Sequence, residues 1–218
     1  MAPPVAPGVE PDADCPLCPR LTAFRKTWRD REPEWFNSPV PTFGPRNARL
    51  LIVGLAPGLQ GANRTGRPFT GDYAGVLLYD TLARYRFARG TYAAHPDDGV
   101  ELIDCRITNA VRCVPPANRP LGAEVNNCRV FLSGELETPP APAVVLPLGG
   151  IAHGSVLRAL GYSARRYPFA HGALYRTSDG PLLAPSYHCS RYNLNTGRLT
   201  PAMLEAVFAA VRHALGPT

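Results

Sequence analysis

The chain has 218 residues, of which 45% are hydrophobic and 9% aromatic, so it has enough apolar side chains to fold around a core, which excludes general disorder. Gly (20) and Pro (25) are frequent but show no collagen-like period, which predicts many stiff loops. The formal net charge is +6, and residues 138–218 carry seven Arg against two acidic residues. This excess of positive charge is compatible with binding to a polyanion such as nucleic acid, but it does not establish such a partner.

The first 14 residues are rich in proline and acidic residues, and we predict a flexible tail at 1–14 ahead of a single domain at 15–218. The start of the chain lacks the charged and apolar segments of a signal peptide, and no apolar run approaches a membrane span. We therefore expect a cytoplasmic monomer without membrane contact. In a reducing compartment, the six cysteines are candidates for metal binding or core packing rather than for disulfides.

Predicted helices and strands alternate along the domain. They are a helix that starts beside Cys15 and Cys18, a buried strand at 49–55, a helix in 71–87, a strand at 100–111, a helix at 121–136, a strand in 141–150, a helix at 151–161, two short β segments at 171–177 and 180–188, and a closing helix at 199–216. This alternation predicts an α/β fold, a three-layer αβα sandwich around a mainly parallel sheet. Ligands bind such sheets where strands end in loops.

Three of these loops carry candidate site residues. The loop after the first strand, GLAPGLQGANRTGRPFTGD at 54–72, contains five glycines that let the backbone approach a ligand closely, yet it matches neither a P-loop nor GxGxxG. Asn109 ends a later strand. His188 follows the last β segment and precedes a polar run that a core would not tolerate. Because no G-x-S-x-G turn is present, Ser-His-Asp chemistry is disfavoured.

The cysteines form a second set of candidates. Cys15 and Cys18 are separated by two residues, and Cys113 and Cys128 by fourteen. Four thiolates suit zinc or a [4Fe–4S] cluster equally well, and the spacing alone does not choose between them. Cys105 lies within a predicted strand and is assigned to the core.

Together, the motifs GLAPGLQGANRTGRPFTGD and HCSRYNLNTGRLT resemble those of the uracil-DNA glycosylases that carry an iron–sulfur cluster, and in particular the family 5 (type B) branch. The resemblance extends from about residue 15 to residue 215. It implies a four-stranded central sheet, removal of uracil and other deaminated bases from DNA in base-excision repair, and a [4Fe–4S] cluster at the four cysteines Cys15, Cys18, Cys113 and Cys128.

The resemblance also implies roles for individual residues. Phe69 would stack on a base that has been flipped out of the DNA helix. Asn109 would form hydrogen bonds with the polar edge of that base, and His188 would approach the O2 oxygen of the base. Such a donor fits the chemistry, since breaking the N-glycosidic bond builds negative charge on the departing base. The remaining implied contacts are to the substrate from Gly54, Ala56, Pro57 and Gly58, and to the DNA minor groove from Arg191, Tyr192 and Asn193, with Arg191 or Tyr192 as a wedge.

Some uracil glycosylases place an Asp or Asn just after the first strand to activate water, whereas this chain has Ala56. Asn63 and Asp72 are the polar residues left in the loop, and we assign water positioning to them jointly. Lys26 is the one lysine in the chain, next to arginine in a helix that looks solvated. Because strand-cutting glycosylases use an amine to form a Schiff base, we predict a monofunctional enzyme.

Two alternatives remain open from the sequence. A metal-stabilised nucleic-acid-binding module would explain the charge and the cysteines, but not Phe69, Asn109 and His188. A small iron–sulfur electron carrier would explain only the cysteines.

Overall fold

The structure, a computed structural model, describes residues 10–216. Its helices and strands are α1 (Pro19–Arg31), β1 (Leu50–Gly54), α2 (Ala62–Thr65), α3 (Tyr73–Arg84), β2 (Ala88–Arg89), β3 (Glu101–Leu102), β4 (Cys105–Asn109), a 3₁₀ turn (Pro116–Asn118), α4 (Gly122–Glu137), β5 (Val144–Pro147), α5 (Gly150–Ala159), β6 (Leu182–Leu183), α6 (Arg191–Asn195) and α7 (Pro201–Leu215).

A four-stranded parallel sheet forms the centre of the domain, with the strand order β4-β1-β5-β6. Strand β1 lies between β4 and β5, so both of its edges are paired and both of its faces are covered. This position explains why its sequence, LLIVG, is apolar at every position but the last rather than alternating. The structure confirms the predicted α/β fold with a central parallel sheet.

Helices cover both faces of the sheet. Leu50 and Ile52 point into a core that is shared with α3 and α7, whereas Leu51 and Val53 point into a second core with α4 and α5. The period-two alternation of side chains along a strand produces this division. Because all strands are parallel, their carboxyl ends meet at one edge, and the loops that follow β1, β4, β5 and β6 are brought together there.

Two predicted β segments differ from the structure. The predicted strand at 100–111 is interrupted at Asp104, which has a left-handed φ of +52° and accepts hydrogen bonds from the backbone N and Nε of Arg49 at 2.9 and 2.8 Å. Its first part, β3, pairs instead with β2 in an antiparallel hairpin. The predicted segment at 171–177 forms only a bridge between Tyr175 and Leu183.

Contacts with the rest of the domain begin before residue 15, the predicted boundary. Glu10 pairs with the buried Arg112, and Asp14 pairs with Arg29. Residues 1–9 of the predicted tail lie outside the described residues. Between residues 10 and 216, none of the helices combines the length and apolar character that crossing a membrane requires.

Candidate active site

The floor of the site is formed where two neighbouring strands end. Gly54 ends β1, Asn109 ends β4, and the two residues are partners in the parallel register. A β-carbon on Gly54 would lie 2.3 Å from Oδ1 of Asn109 and 2.9 Å from both Cε2 and Cζ of Phe69. The absence of a side chain at Gly54 therefore allows Asn109 and Phe69 to approach each other.

Phe69 is held in an unusual backbone conformation. Its φ is +53°, a left-handed value that a residue with a bulky side chain rarely adopts, and its ring is buried. The ring packs against the imidazole of His188, with centroids 5.7 Å apart and planes inclined by 29°. The structure thus places Phe69, Asn109 and His188 around one point at the carboxyl edge of the sheet.

His188 lies just beyond β6 and is fixed through its backbone. Nδ2 of Asn193 donates a hydrogen bond to the carbonyl oxygen of His188 at 2.8 Å, and a β-carbon on Gly149 would lie 3.7 Å from Cβ of His188. Burial lowers the pKa of the imidazole to about 4. At neutral pH the ring is therefore uncharged, with one N–H that can donate a hydrogen bond.

Asp72 lies against the glycine-rich loop. Its Oδ1 accepts a hydrogen bond from the backbone N–H of Gly75 at 3.3 Å and caps α3. Its Oδ2 would lie 3.1 Å from a β-carbon on Gly58. Burial raises the pKa of Asp72. Burial and then the charge of Asp72 raise the pKa of the Cys189 thiol to about 12.

Asn63 has a different environment from Asp72. Its Nδ2 donates to Oδ1 of Asn37 at 2.8 Å, and its carbonyl oxygen accepts from the backbone N–H of Asn37 at 3.0 Å. Asn37 in turn donates to the carbonyl oxygens of Trp28 and Glu32. Asn63 therefore ties the glycine-rich loop to α1, while its own buried Oδ1 has no partner among the described residues.

Ala56 and Pro57 are the other residues of the glycine-rich loop that the sequence assigned to the site. Ala56 packs against the cysteine-containing core cluster that also includes Val111, and Pro57 is buried beside it. The backbone N–H groups of Ala110 and Val111 donate to the carbonyl oxygens of Gly54 and Leu55 at 2.9 and 3.0 Å. These bonds join the loop after β1 to the loop after β4.

The polar run after His188 forms the short helix α6 rather than a loop. Tyr192 projects from it with 71% of its surface exposed, and the guanidinium of Arg191 lies 4.8 Å from the ring centroid of Tyr73. These two side chains are available to a partner. Asn193, in contrast, uses its side chain to hold the backbone of His188.

The four cysteines assigned to a cluster line one pocket. Cys15 and Cys18 precede α1, Cys113 lies in the loop after β4, and Cys128 lies on α4. Burial raises the pKa of Cys113 to about 11 and that of Cys128 to about 12. The other two cysteines, Cys105 and Cys189, belong to the core against α3 and α7.

Several N–H groups point at these sulfur atoms. Nη1 of Arg25 donates to Sγ of Cys113 and the backbone N–H of Arg112 donates to Sγ of Cys128, both at 3.2 Å. Arg25 is 1% exposed, its Nε has no partner, and it forms no ion pair with any described residue. Across residues 10–216, no three His, Cys, Asp or Glu side chains are close enough to hold a single metal ion.

Sequence reasoning did not identify Arg25, nor did it identify Tyr92, whose hydroxyl donates to the carbonyl oxygen of Phe69 at 3.1 Å. Both residues act on partners that are distant in sequence. Arg25 stands in an ordinary helical pattern, and Tyr92 lies in a loop without a recognisable motif. We find no signal in a single sequence that would have singled out either one.

Comparisons with known proteins show which family the chain belongs to. The family model described as the Uracil DNA glycosylase superfamily matches residues 41–212. The Type-5 uracil-DNA glycosylase of Thermus thermophilus is 43% identical over 205 residues, covering 91% of this chain and 93% of that protein. The Type-5 uracil-DNA glycosylase of Pyrobaculum aerophilum is 42% identical over 198 residues, covering 89% and 86%. The Type-4 uracil-DNA glycosylase of the same organism is 31% identical over 164 residues, covering 75% and 69%.

Proposed function

The chain belongs to the uracil DNA glycosylase superfamily and is a uracil-DNA glycosylase, and we propose that three of its side chains carry the reaction. These are Phe69, Asn109 and His188, which would act together to cleave the bond between uracil and deoxyribose in DNA. The proposal rests on the approach of Asn109 and Phe69 to Gly54 and on the packing of His188 against the Phe69 ring. An aromatic ring, an amide and a neutral imidazole are what a pocket needs to stack a planar base and to bond its polar edge.

The chemistry follows from the charge that develops as the bond breaks. The bonding electron pair leaves C1′ of the sugar with N1 of uracil, so the sugar becomes positive and the base becomes a uracil anion with charge on O2. Water then adds its hydroxyl group to C1′, and the proton it releases ends on the uracil anion, which leaves as neutral uracil. The uncharged His188 donates an N–H hydrogen bond to O2 and lowers the barrier without having to give up a proton.

We assign the positioning of water to Asp72. Its raised pKa makes it a better proton acceptor than an ordinary carboxylate, and its Oδ2 lies against Gly58 of the glycine-rich loop. Asn63 was grouped with Asp72 from the sequence, but its Nδ2 donates to Asn37 and its side chain is almost fully buried. We therefore propose that Asn63 holds the glycine-rich loop in place rather than binding water.

The surface beside the site fits a DNA partner. We propose that Tyr192 fills the space left in the duplex by the flipped base, since it is highly exposed and lies only four residues after His188. Arg191 then lies next to the phosphates. Other deaminated bases are proposed as further substrates, with water as the nucleophile and an intact abasic site as the product. All of these groups come from one chain, so we propose that a monomer is active.

We propose that the four cysteines hold a [4Fe–4S] cluster, as the family resemblance implies, since all four line one pocket. The buried, unpaired Arg25 supports a negatively charged group, because a buried cation without a counter-charge is costly. A cluster on four thiolates would supply that charge.

The cluster, when bound, supplies structural cross-links rather than a reaction step. Cys15 and Cys18 would join α1 to the loop that carries Cys113, and that loop begins four residues earlier at Asn109. Holding this loop therefore helps to fix the position of Asn109. The N–H groups of Arg25 and Arg112 would donate hydrogen bonds to the ligating sulfur atoms of Cys113 and Cys128.

A gel assay tests the proposal. Duplexes with one uracil are incubated with the holoenzyme, and abasic sites are read as alkali-labile breaks. His188→Ala and Asn109→Ala should each lower the single-turnover rate by about 10²-fold or more, because each removes a donor from the pocket. Circular dichroism verifies the fold of both variants. Wild-type rates in both would overturn the assignment of the site.

A further inference from the structure

We infer that Tyr79 and Tyr92 form a clamp on the backbone of Phe69 and act as positioning residues for its ring. The inference rests on the proposed function of Phe69 as the surface on which uracil stacks. Neither tyrosine was assigned any role from the sequence or from the chemistry of the site.

Phe69 needs such a clamp because its backbone is strained. A φ of +53° is unfavourable for a side chain with a β-carbon and persists only where the surroundings compensate for it. A relaxed backbone would turn the ring away from Gly54 and His188, both of which it now contacts. The position of the ring thus depends on whatever holds residues 68 and 69.

Two tyrosine hydroxyls hold these residues by consecutive carbonyl groups. Tyr79 donates to the carbonyl oxygen of Pro68 at 2.8 Å, and Tyr92 donates to that of Phe69 at 3.1 Å. The two rings are stacked, with centroids 4.5 Å apart and planes inclined by 12°. A β-carbon at Gly75 would lie only 1.9 Å from the carbonyl oxygen of Phe69, so α3 also packs directly on this peptide group.

A buried ion pair fixes the two tyrosines in turn. The guanidinium of Arg67 lies 5.3 Å from the ring centroid of Tyr79 and 5.8 Å from that of Tyr92. It donates two hydrogen bonds of 2.7 Å to the carboxylate of Asp98. Asp98 also accepts from the backbone N–H of Ala93 at 2.9 Å, next to Tyr92. The segment that carries Tyr92 is therefore tied to the residue two positions before Phe69.

Two binding measurements distinguish a positioning role of the tyrosines from a general effect on the stability of the protein. One is inhibition by free uracil, and the other is affinity for a duplex that contains an abasic-site analogue. Uracil needs the stacking ring, whereas a duplex without the base does not. In the holoenzyme, Tyr92→Phe should weaken uracil inhibition about three- to tenfold and leave abasic-duplex affinity unchanged, because one hydrogen bond is lost. Tyr175→Phe is the matched control, since its hydroxyl donates to the carbonyl oxygen of Pro168 at 2.7 Å. It should change neither value.

Phe69→Ala distinguishes failure of the clamp from failure of the proposed function. If Phe69→Ala weakens uracil binding but Tyr92→Phe does not, the clamp is refuted and the stacking surface stands. If Tyr92→Phe loses affinity for uracil and for the abasic duplex to the same extent, the clamp is also refuted. Unchanged uracil binding in Phe69→Ala refutes the role of Phe69 and the inference with it. If the clamp is correct, Tyr92→Phe adds no loss when Phe69 is already Ala.

Discussion

Replacement of Gly54 by Ala tests the geometry of the site with one methyl group. The β-carbon would lie 2.3 Å from Oδ1 of Asn109 and 2.9 Å from two ring carbons of Phe69, whereas ordinary contacts begin at 3.4 Å. The amide must therefore retreat by about 1 Å and the ring by about half as much. Because Asn109 is buried at a strand end, neither shift is easily absorbed.

A displacement of about 1 Å in a group that contacts the reacting atoms costs about 10²-fold in rate, or about 2.7 kcal/mol of transition-state stabilisation. Overpacking should also lower the free energy of unfolding by about 1–3 kcal/mol. Single-turnover uracil excision and thermal unfolding measure the two effects separately. The matched control is Gly122→Ala in the first turn of α4, where a β-carbon meets nothing within 4 Å and activity should not change. A Gly54→Ala enzyme with wild-type rate would refute the site geometry.

Further predictions concern protonation, the cluster and the end point of the reaction. Between pH 6.5 and about 4 the unfolded chain binds a proton that folded His188 does not, so stability should fall as the pH is lowered through this range. His188→Asn should reduce that slope in urea unfolding, and equal slopes would contradict the lowered pKa. Cys→Ser at each proposed cluster ligand should remove iron and absorbance near 400 nm, whereas Cys105→Ser and Cys189→Ser should retain both; one zinc and no iron would contradict the cluster. Borohydride should trap no adduct with uracil-containing DNA, because Lys26 is exposed on α1. An adduct or strand breaks without alkali would show that the enzyme also cuts the backbone.

Much of the fold followed from local pattern. The apolar run of β1 and the helical periodicity of α3, α4, α5 and α7 depend on neighbouring residues, and these elements lie close to their predicted positions. The interruption at Asp104 was missed because it depends on Arg49, 55 positions away in sequence. The candidate residues Phe69, Asn109 and His188 came from motifs, and their shared edge follows from the parallel sheet.

By itself, the sequence determined the order of the main helices and strands, the parallel sheet, the family resemblance and the set of polar and aromatic residues available to a site. Only the tertiary structure decided what each of these residues touches. Asn63 and Asp72 are nine residues apart in one loop, yet the amide donates a hydrogen bond to Asn37 while the carboxylate caps α3 and lies against Gly58. Likewise, Arg25 reaches a cysteine 88 positions away, and Tyr92 holds a carbonyl group 23 positions away. Such contacts arise from packing between distant segments, and no local propensity encodes them.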